Sequence, residues 1–276
     1  MIMNVAIIGC GYVGYAVAKF WRQNPSFRVT VTTTSEHKVS TLQEVADAVE
    51  VTMGDDQIFL NRVLKNQDVV LLAVGAKSSS SYEKTYLETA KTVTSLIKYH
   101  PKIKQLIYTS SYAIYGDRNG VWVDEETPPA PPNLNSQILG KTEEILLAAA
   151  TENLRVCILR LGGIYGPGRE LIKIFSRTAG TTREGNGEEI TNWVHLDDIV
   201  RVVEFARWQR LQGIYNLVDD SHFTSRELID GVLKTHNLPN VIWDATNKST
   251  RQYNTWVSNQ KLKDAGYQFI HPHIVL

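Results

Sequence analysis

The sequence predicts an α/β fold, a doubly wound parallel sheet with a smaller C-terminal lobe. Short runs of apolar and β-branched residues alternate with stretches of helical periodicity over residues 5–161. The runs are apolar on both faces, which is typical of strands that helices cover on both sides. A glycine-rich turn directly follows the first run. This alternation favours parallel βαβ units with right-handed crossovers.

Each predicted element follows from its local pattern. The buried runs that predict strands are residues 5–8, 28–33, 49–51, 69–74, 104–109, 155–161 and 214–218. Apolar residues spaced three or four apart predict helices at residues 13–21, 42–45, 59–64, 82–99 and 228–233. Asn133 or Asn135 is expected to cap a further helix that runs to about Thr151.

Residues 116–135 interrupt the alternation. Pro128, Pro129, Pro131 and Pro132 stand close together there. We expect a long loop rather than a domain linker, because the alternation resumes afterwards. Beyond residue 162 the patterns are mixed and predict a smaller lobe built from insertions.

Composition restricts the partners. The chain has 276 residues, of which 43% are hydrophobic, and Lys+Arg and Asp+Glu both number 29. Without a basic excess, nucleic acid is not an expected partner. The longest apolar run, residues 69–74, is too short to cross a bilayer. We therefore expect a cytoplasmic protein whose partner is a small molecule and which binds neither a membrane nor nucleic acid.

The two cysteines, Cys10 and Cys157, lie in or beside predicted buried strands. This usage favours a reducing compartment without a disulfide framework. The cysteines and histidines are not spaced along the chain as metal ligands usually are, so no metal site is predicted.

The glycine-rich turn, GCGYVG at residues 9–14, separates the first predicted strand from the first predicted helix. In a turn of this kind Gly9 permits the tight bend, Gly11 lets the backbone approach a pyrophosphate, and Gly14 permits close helix packing. The start of the helix, at Tyr12 and Val13, offers N–H groups to the phosphates. The turn predicts binding of NAD or NADP, and the alternative is a glycine turn without a ligand.

The end of the second predicted strand bears on the choice of dinucleotide. NAD sites usually carry an acidic residue here, whereas this chain has Thr33, Thr34 and Ser35, with Lys38 close behind. Hydroxyl groups and a cation suit a 2′-phosphate, which favours NADP. Glu36 keeps NAD open as the alternative.

Three further segments resemble one known family. They are YTSSYAIYG at residues 108–116, RLGGIYGPG at 160–168 and GNGEEITNWVHLDDI at 185–199. In this order they are similar to the extended short-chain dehydrogenases/reductases, the NAD-dependent epimerase/dehydratase family. The resemblance implies a Rossmann NAD(P)-binding domain over residues 1–165, with residues 166–276 mainly in a substrate lobe and some segments returning to the core. It places Asp55 beside the adenine and adds the cofactor contacts Ala73, Val74 and Gly75.

The resemblance also implies catalytic roles. The family uses a Ser or Thr, a Tyr and a Lys, and here Ser111 and Lys141 match the first and the last. Lys141 is also expected to bind the cofactor ribose. Gln137 stands four residues before Lys141, where the family has its tyrosine, which indicates an atypical subgroup. Tyr115 is a candidate substitute acid, and structural packing is its alternative role.

Two functions remain open at this stage. One is an NAD(P)-dependent oxidoreductase or epimerase/dehydratase-like enzyme for a small polar or nucleotide-sugar substrate. The other is a catalytically silent NAD(P)-binding sensor or interaction protein. The resemblance also allows a homodimer. His195 is expected to be a core or loop residue, and Asp197 and Asp198 are expected at a helix N-terminus.

Overall fold

The computed structural model describes residues 2–276, which divide into two compact units. The first unit contains residues 2–111, 133–160 and 200–215, and the second contains residues 112–132, 161–199 and 216–276. The strands of the described chain are β1 (Met3–Ile8), β2 (Phe27–Thr33), β3 (Ala48–Val51), β4 (Val69–Leu72), β5 (Gln105–Ser111), β6 (Asp117–Val123), β7 (Arg155–Leu161), β8 (Gly163–Tyr165), β9 (Thr182–Glu184), β10 (Ile190–Thr191), β11 (Trp193–His195), β12 (Gly213–Leu217), β13 (Phe223–Thr224), β14 (Ile242–Asp244) and β15 (Asn254–Val257). The helices are α1 (Tyr12–Arg22), α2 (Val39–Gln43), α3 (Gln57–Leu64), α4 (Thr89–Ile97), α5 (Leu134–Ala148), α6 (Leu171–Phe175), α7 (Leu196–Gln209), α8 (Ser225–Thr235) and α9 (Gln260–Asp264).

A parallel sheet forms the centre of the first unit. Its strand order is β12-β7-β5-β4-β1-β2-β3, so the chain runs outwards from β1 through β2 and β3 and then returns to β4 on the other side. The order therefore reverses between β1 and β4. In open α/β sheets the carboxyl ends of the strands at such a reversal form the ligand crevice.

The core of the first unit explains the apolar runs in the sequence. All four residues of β4 are buried, and so are the last four of β1. Helices α3, α4 and α5 supply the apolar side chains that cover one face, among them Leu60, Val93 and Leu146. The predicted fold class, an α/β doubly wound parallel sheet, is confirmed.

Two local expectations need correction. Residues 116–135, expected to be a loop, contain β6, which pairs in parallel with β15. Its partner lies so far along the chain that no local pattern indicates the pairing. Residues 82–99, expected to form one regular helix, begin with a π-helix at Glu83–Glu88 before α4. The cap expected at Asn133 or Asn135 is Asn133, whose side chain accepts a hydrogen bond from the Ser136 amide.

The second unit contains small sheets and short helices. Its strands pair two by two, as β10 with β13, β11 with β8, β14 with β9, and β15 with β6. The apolar core of this unit lies between α6 and α8 and includes Phe175, Leu228 and Ile274. Among the helices of residues 2–276, none has both the length and the apolar composition that a bilayer crossing requires.

Candidate functional site

The turn at Gly9 is held in a conformation that favours glycine. Gly9 has a φ of +92°, and a Cβ added there would lie 2.7 Å from the Cα of Val74. The Gly9 amide donates to Oγ1 of Thr32 at 2.9 Å, and the Cys10 amide donates to the carbonyl of Thr32 at 2.8 Å. The turn is therefore fixed against the end of β2 and the segment after β4.

The N-terminus of α1 can accommodate a phosphate. The N-cap residue Gly11 makes no side-chain cap, and the first turn contains no acidic residue. A Cβ added to Gly11 would meet no atom within 4 Å, whereas one added to Gly14 would lie 2.5 Å from the carbonyl oxygen of Gly9. Gly14 therefore serves packing, and Gly11 borders open space. Tyr12 and Val13 begin the helix and are half-buried, so this end of α1 fits a pyrophosphate.

Cys10 lies inside the turn and is buried. Burial raises the pKa of its thiol to about 12, and the nearby ammonium group of Lys38 partly opposes this rise. Cys10 is therefore a neutral thiol at physiological pH. The same interaction indicates that a cation lies near the glycine turn.

The end of β2 presents hydroxyl groups. Thr33 is buried, and its Oγ1 accepts a hydrogen bond from the Ser35 amide at 3.2 Å. Thr34 is exposed, Ser35 is half-buried, and Glu36 begins a 3₁₀ turn, Glu36–Lys38. The strand therefore ends at Thr33, before the only acidic residue of this segment.

The other expected cofactor residues follow β3 and β4. Asp55 lies in the loop after β3 and forms an ion pair with Lys84 at 3.4 Å. Ala73 is buried, and its amide donates to the carbonyl of Ile8 at 2.9 Å, so it continues the β4 direction beside β1. Val74 is half-buried and Gly75 is exposed. Their contact with a cofactor stays a prediction.

The residues matched to the family's catalytic set lie on β5 and α5. Ser111 is the last residue of β5 and is half-buried. Gln137 and Lys141 are both exposed on α5 and stand one turn apart, so they share one face of the helix. An amide side chain such as that of Gln137 cannot exchange a proton near neutral pH.

A buried ion pair fixes α5 against the end of the sheet. Glu143 of α5 and Arg160 of β7 are both 3% exposed, and their closest N–O distance is 2.7 Å. Ser110, next to Ser111, donates to Oε1 of Glu143 at 2.5 Å. The sequence analysis missed this group, although a Glu on a predicted buried helix face and an Arg within a buried strand are its signal.

Tyr115, the candidate substitute acid, is fully buried. Its hydroxyl donates to Oδ1 of Asn216 at 2.8 Å, and both residues belong to the second unit. This contact agrees with structural packing, the alternative role that the sequence suggests for Tyr115. An acid role stays a prediction, and this geometry does not favour it.

Within residues 2–276 the structure brings together one group of metal-ligating side chains, His195, Asp197 and His271. The expectation of no metal site rested on spacing along the chain, and His271 is distant from the other two in sequence. Asp197 and Asp198 both lie in the first turn of α7, as expected. Asp198 is fully buried there, and it accepts hydrogen bonds from the amides of Ile270 and His271.

Residues 5–217 match the NAD dependent epimerase/dehydratase family, which covers most of the chain and includes the glycine turn, β5 and α5. The chain belongs to this family. The protein YeeZ of Escherichia coli K12 is 29% identical over 228 residues, which are 79% of this chain and 78% of YeeZ.

Two solved structures of dissimilar sequence share the fold. The UDP-glucose 4-epimerase of Thermotoga maritima, solved with UDP-glucose, has a TM-score of 0.79 at 22% identity and covers 96% of this chain and 93% of its own. The dTDP-glucose 4,6-dehydratase of Bacillus anthracis, solved with NAD, has a TM-score of 0.78 at 19% identity. The match covers 95% of this chain and 90% of the dehydratase chain.

Proposed function

We propose that this protein binds a nicotinamide dinucleotide with its pyrophosphate at the first turn of α1. The observation that carries the proposal is the uncapped N-terminus of α1 beside open space at Gly11. Backbone amides at a helix start bind phosphate through hydrogen bonds and the positive end of the helix dipole. Membership of the family and the NAD in the Bacillus anthracis dehydratase support the same ligand class.

Of the two dinucleotides, we propose NADP. The segment after β2 presents the hydroxyl groups of Thr34 and Ser35 and the cation Lys38, which suit a 2′-phosphate. Glu36 lies beyond the strand end and is exposed, and NAD is the alternative if its carboxylate reaches the ribose.

The proposed activity is that of an oxidoreductase or epimerase/dehydratase-like enzyme for a small polar or nucleotide-sugar substrate. A bound nicotinamide supplies a hydride donor or acceptor. The hydroxyl of Ser111 would donate a hydrogen bond to the reacting oxygen of the substrate, and the ammonium group of Lys141 would bind the cofactor ribose. The UDP-glucose in the Thermotoga maritima epimerase supports the nucleotide-sugar class.

The second candidate is a catalytically silent NAD(P)-binding sensor or interaction protein. Gln137 favours it, because the residue in the tyrosine position has no proton to exchange. The burial of Tyr115 also favours it, because that phenol already donates to Asn216. The domain division at residue 165, a homodimer and a cytoplasmic location stay predictions.

Dinucleotide binding is tested by Gly11→Ala, with NADPH and NADH titrated by calorimetry. The added methyl group enters open space, so the melting temperature without ligand should stay the same while dinucleotide affinity falls at least about tenfold. Gly14→Ala is the contrasting variant, because its methyl group meets the Gly9 carbonyl and should lower the melting temperature. Wild-type protein that binds neither dinucleotide would contradict the proposal.

Turnover separates the two candidate functions. Wild-type protein and Ser111→Ala are assayed for NADPH oxidation or NADP reduction with a panel of sugar nucleotides and small carbonyl compounds. The enzyme function requires wild-type turnover that Ser111→Ala reduces by about 100-fold or more. Absence of wild-type turnover, together with turnover that appears in Gln137→Tyr, supports the silent protein.

A further inference from the structure

Three side chains of the second unit meet where α7 begins. His195 is the last residue of β11, and Asp197 lies in the first turn of α7. His271 comes from the C-terminal segment, which we define as residues 267–276. The segment follows α9 and contains no regular helix or strand.

The distances within this group are close to those of a metal-binding site. Oδ2 of Asp197 lies 3.4 Å from Nδ1 of His195 and 3.0 Å from Nε2 of His271. The three ligand atoms all lie within 4.8 Å of one another. Ligand atoms held about 2.0–2.1 Å from a tetrahedral Zn²⁺ are separated from one another by about 3.3 Å. The distances from Asp197 to the two histidine nitrogens are both close to this separation.

The imidazoles of His195 and His271 lie against each other, with ring centroids 3.7 Å apart and planes inclined by 39°, so metal binding requires the side chain of His271 to turn. The backbone amide of Asp197 donates to Nδ1 of His195 at 3.1 Å. An atom that accepts a hydrogen bond carries no proton, so Nδ1 is the unprotonated nitrogen and faces Asp197. A metal ion would take the lone pair of this nitrogen in place of the amide hydrogen.

A second carboxylate holds His271 in position. Asp198 accepts hydrogen bonds from the amides of Ile270 at 2.8 Å and His271 at 2.9 Å, and from the hydroxyl of Tyr267 at 2.8 Å. These three contacts fix the backbone of the C-terminal segment against α7. The backbone of His271 is therefore placed by the fold, which lowers the conformational entropy of the backbone lost when a metal ion binds.

The group is accessible from solvent. The side chain of Asp197 is 53% exposed and that of His271 is 37% exposed, whereas that of His195 is 13% exposed. One face is thus built into the protein and the other is open to solvent. An open face admits the ion and leaves room for water as a further ligand.

We propose that His195, Asp197 and His271 bind a divalent transition-metal ion of the Zn²⁺ type, with water completing the coordination. Two imidazoles and one carboxylate select Zn²⁺, Co²⁺ or Ni²⁺ over Mg²⁺ and Ca²⁺, which prefer oxygen ligands. The ion would connect the C-terminal segment directly to α7. The three residues belong to the second unit, whereas the glycine turn proposed to bind the dinucleotide belongs to the first.

The site is tested on tag-free, chelator-treated protein titrated with ZnCl₂ by calorimetry. His271→Gln and Asp197→Asn change exposed side chains and should each lower Zn²⁺ affinity at least about tenfold. His273→Gln is the matched control, because it removes an exposed histidine of the same segment that is outside the group. It should bind Zn²⁺ like the wild type.

Two spectroscopic and thermal readouts complete the test. Co²⁺ should give visible d–d absorption bands in the wild type and in His273→Gln, and these bands should be lost in His271→Gln. Zn²⁺ should raise the melting temperature of the wild type and of His273→Gln, and it should leave that of His271→Gln unchanged. Wild-type protein that takes up no Zn²⁺, or His271→Gln protein that binds it with undiminished affinity, would overturn the proposal.

Discussion

The ammonium group of Lys38 partly offsets the rise that burial causes in the pKa of the Cys10 thiol, which lies inside the glycine turn. Lys38 is exposed and ends the short 3₁₀ turn that follows β2. A flexible cation in this place can meet the 2′-phosphate of NADP without the burial of an unpaired charge. NADH lacks that phosphate and gains nothing from the contact.

Lys38→Ala is therefore expected to reduce cofactor discrimination. The affinity for NADPH should fall about tenfold, which corresponds to the loss of one charge-assisted hydrogen bond, and the affinity for NADH should change little. Fluorescence titration of both dinucleotides measures the ratio. Lys104→Ala is the control, because Lys104 precedes the amino end of β5, whereas the glycine turn follows the carboxyl end of β1, at the opposite end of the parallel strands. Equal losses for NADPH and NADH would contradict a role in 2′-phosphate binding.

At the scale of elements, the position of α5 depends on a buried ion pair rather than on apolar packing alone. Arg160 donates from Nε to Oε1 of Glu143 at 3.3 Å and from a terminal nitrogen to Oε2 at 2.7 Å, so the contact is bidentate. Ser110 completes the group from β5. The helix that carries Gln137 and Lys141 is thereby held against two strands of the sheet. Breaking such a pair leaves an uncompensated buried charge, whereas replacing both partners with apolar side chains is tolerated better.

Glu143→Gln is expected to lower the free energy of unfolding by about 3–5 kcal/mol, because Arg160 then lacks a counter-charge in a buried position. Urea denaturation followed by circular dichroism measures this loss. Glu144→Gln, which changes the exposed neighbour on the same helix, should cost less than about 0.5 kcal/mol. The double variant Glu143→Leu/Arg160→Met should recover most of the loss. A single variant as stable as the wild type would show that the pair does not anchor α5.

At the scale of the whole molecule, the sequence predicts features that depend on local pattern. The sheet strands, the turn at residues 9–14 and the cap at Asn133 each follow from residues close in the chain, and the structure contains them. The pairing of β6 with β15 depends on residues far apart, and so does the meeting of Asp197 with His271. A single sequence gives no signal for such contacts, because periodicity reports only the face on which a residue lies.

The pH dependence of unfolding is a further property of the whole molecule, and Asp219 contributes to it. Burial raises the pKa of this carboxyl to about 7 from an ordinary value of 3.8, although its Oδ1 accepts a hydrogen bond from the Ser221 amide at 2.9 Å. In the folded protein Asp219 therefore holds its proton over a range in which the unfolded chain has lost it. Where the folded state binds more protons, stability falls as the pH rises.

Asp219→Asn removes this titration and retains an oxygen that can accept from Ser221. We expect the stability of the variant relative to the wild type to rise between about pH 4 and pH 8 and to stay constant above, with a total change on the order of 3 kcal/mol. The measurement is a series of urea unfolding curves for both proteins from pH 4 to pH 8.5. Asp264→Asn, at the exposed end of α9, is the matched control and should follow the wild type throughout. A difference between variant and wild type that is independent of pH would show that Asp219 is ionised in the folded protein over the whole range. The cause of the stability change would then be packing alone, because a group that titrates equally in both states contributes no slope.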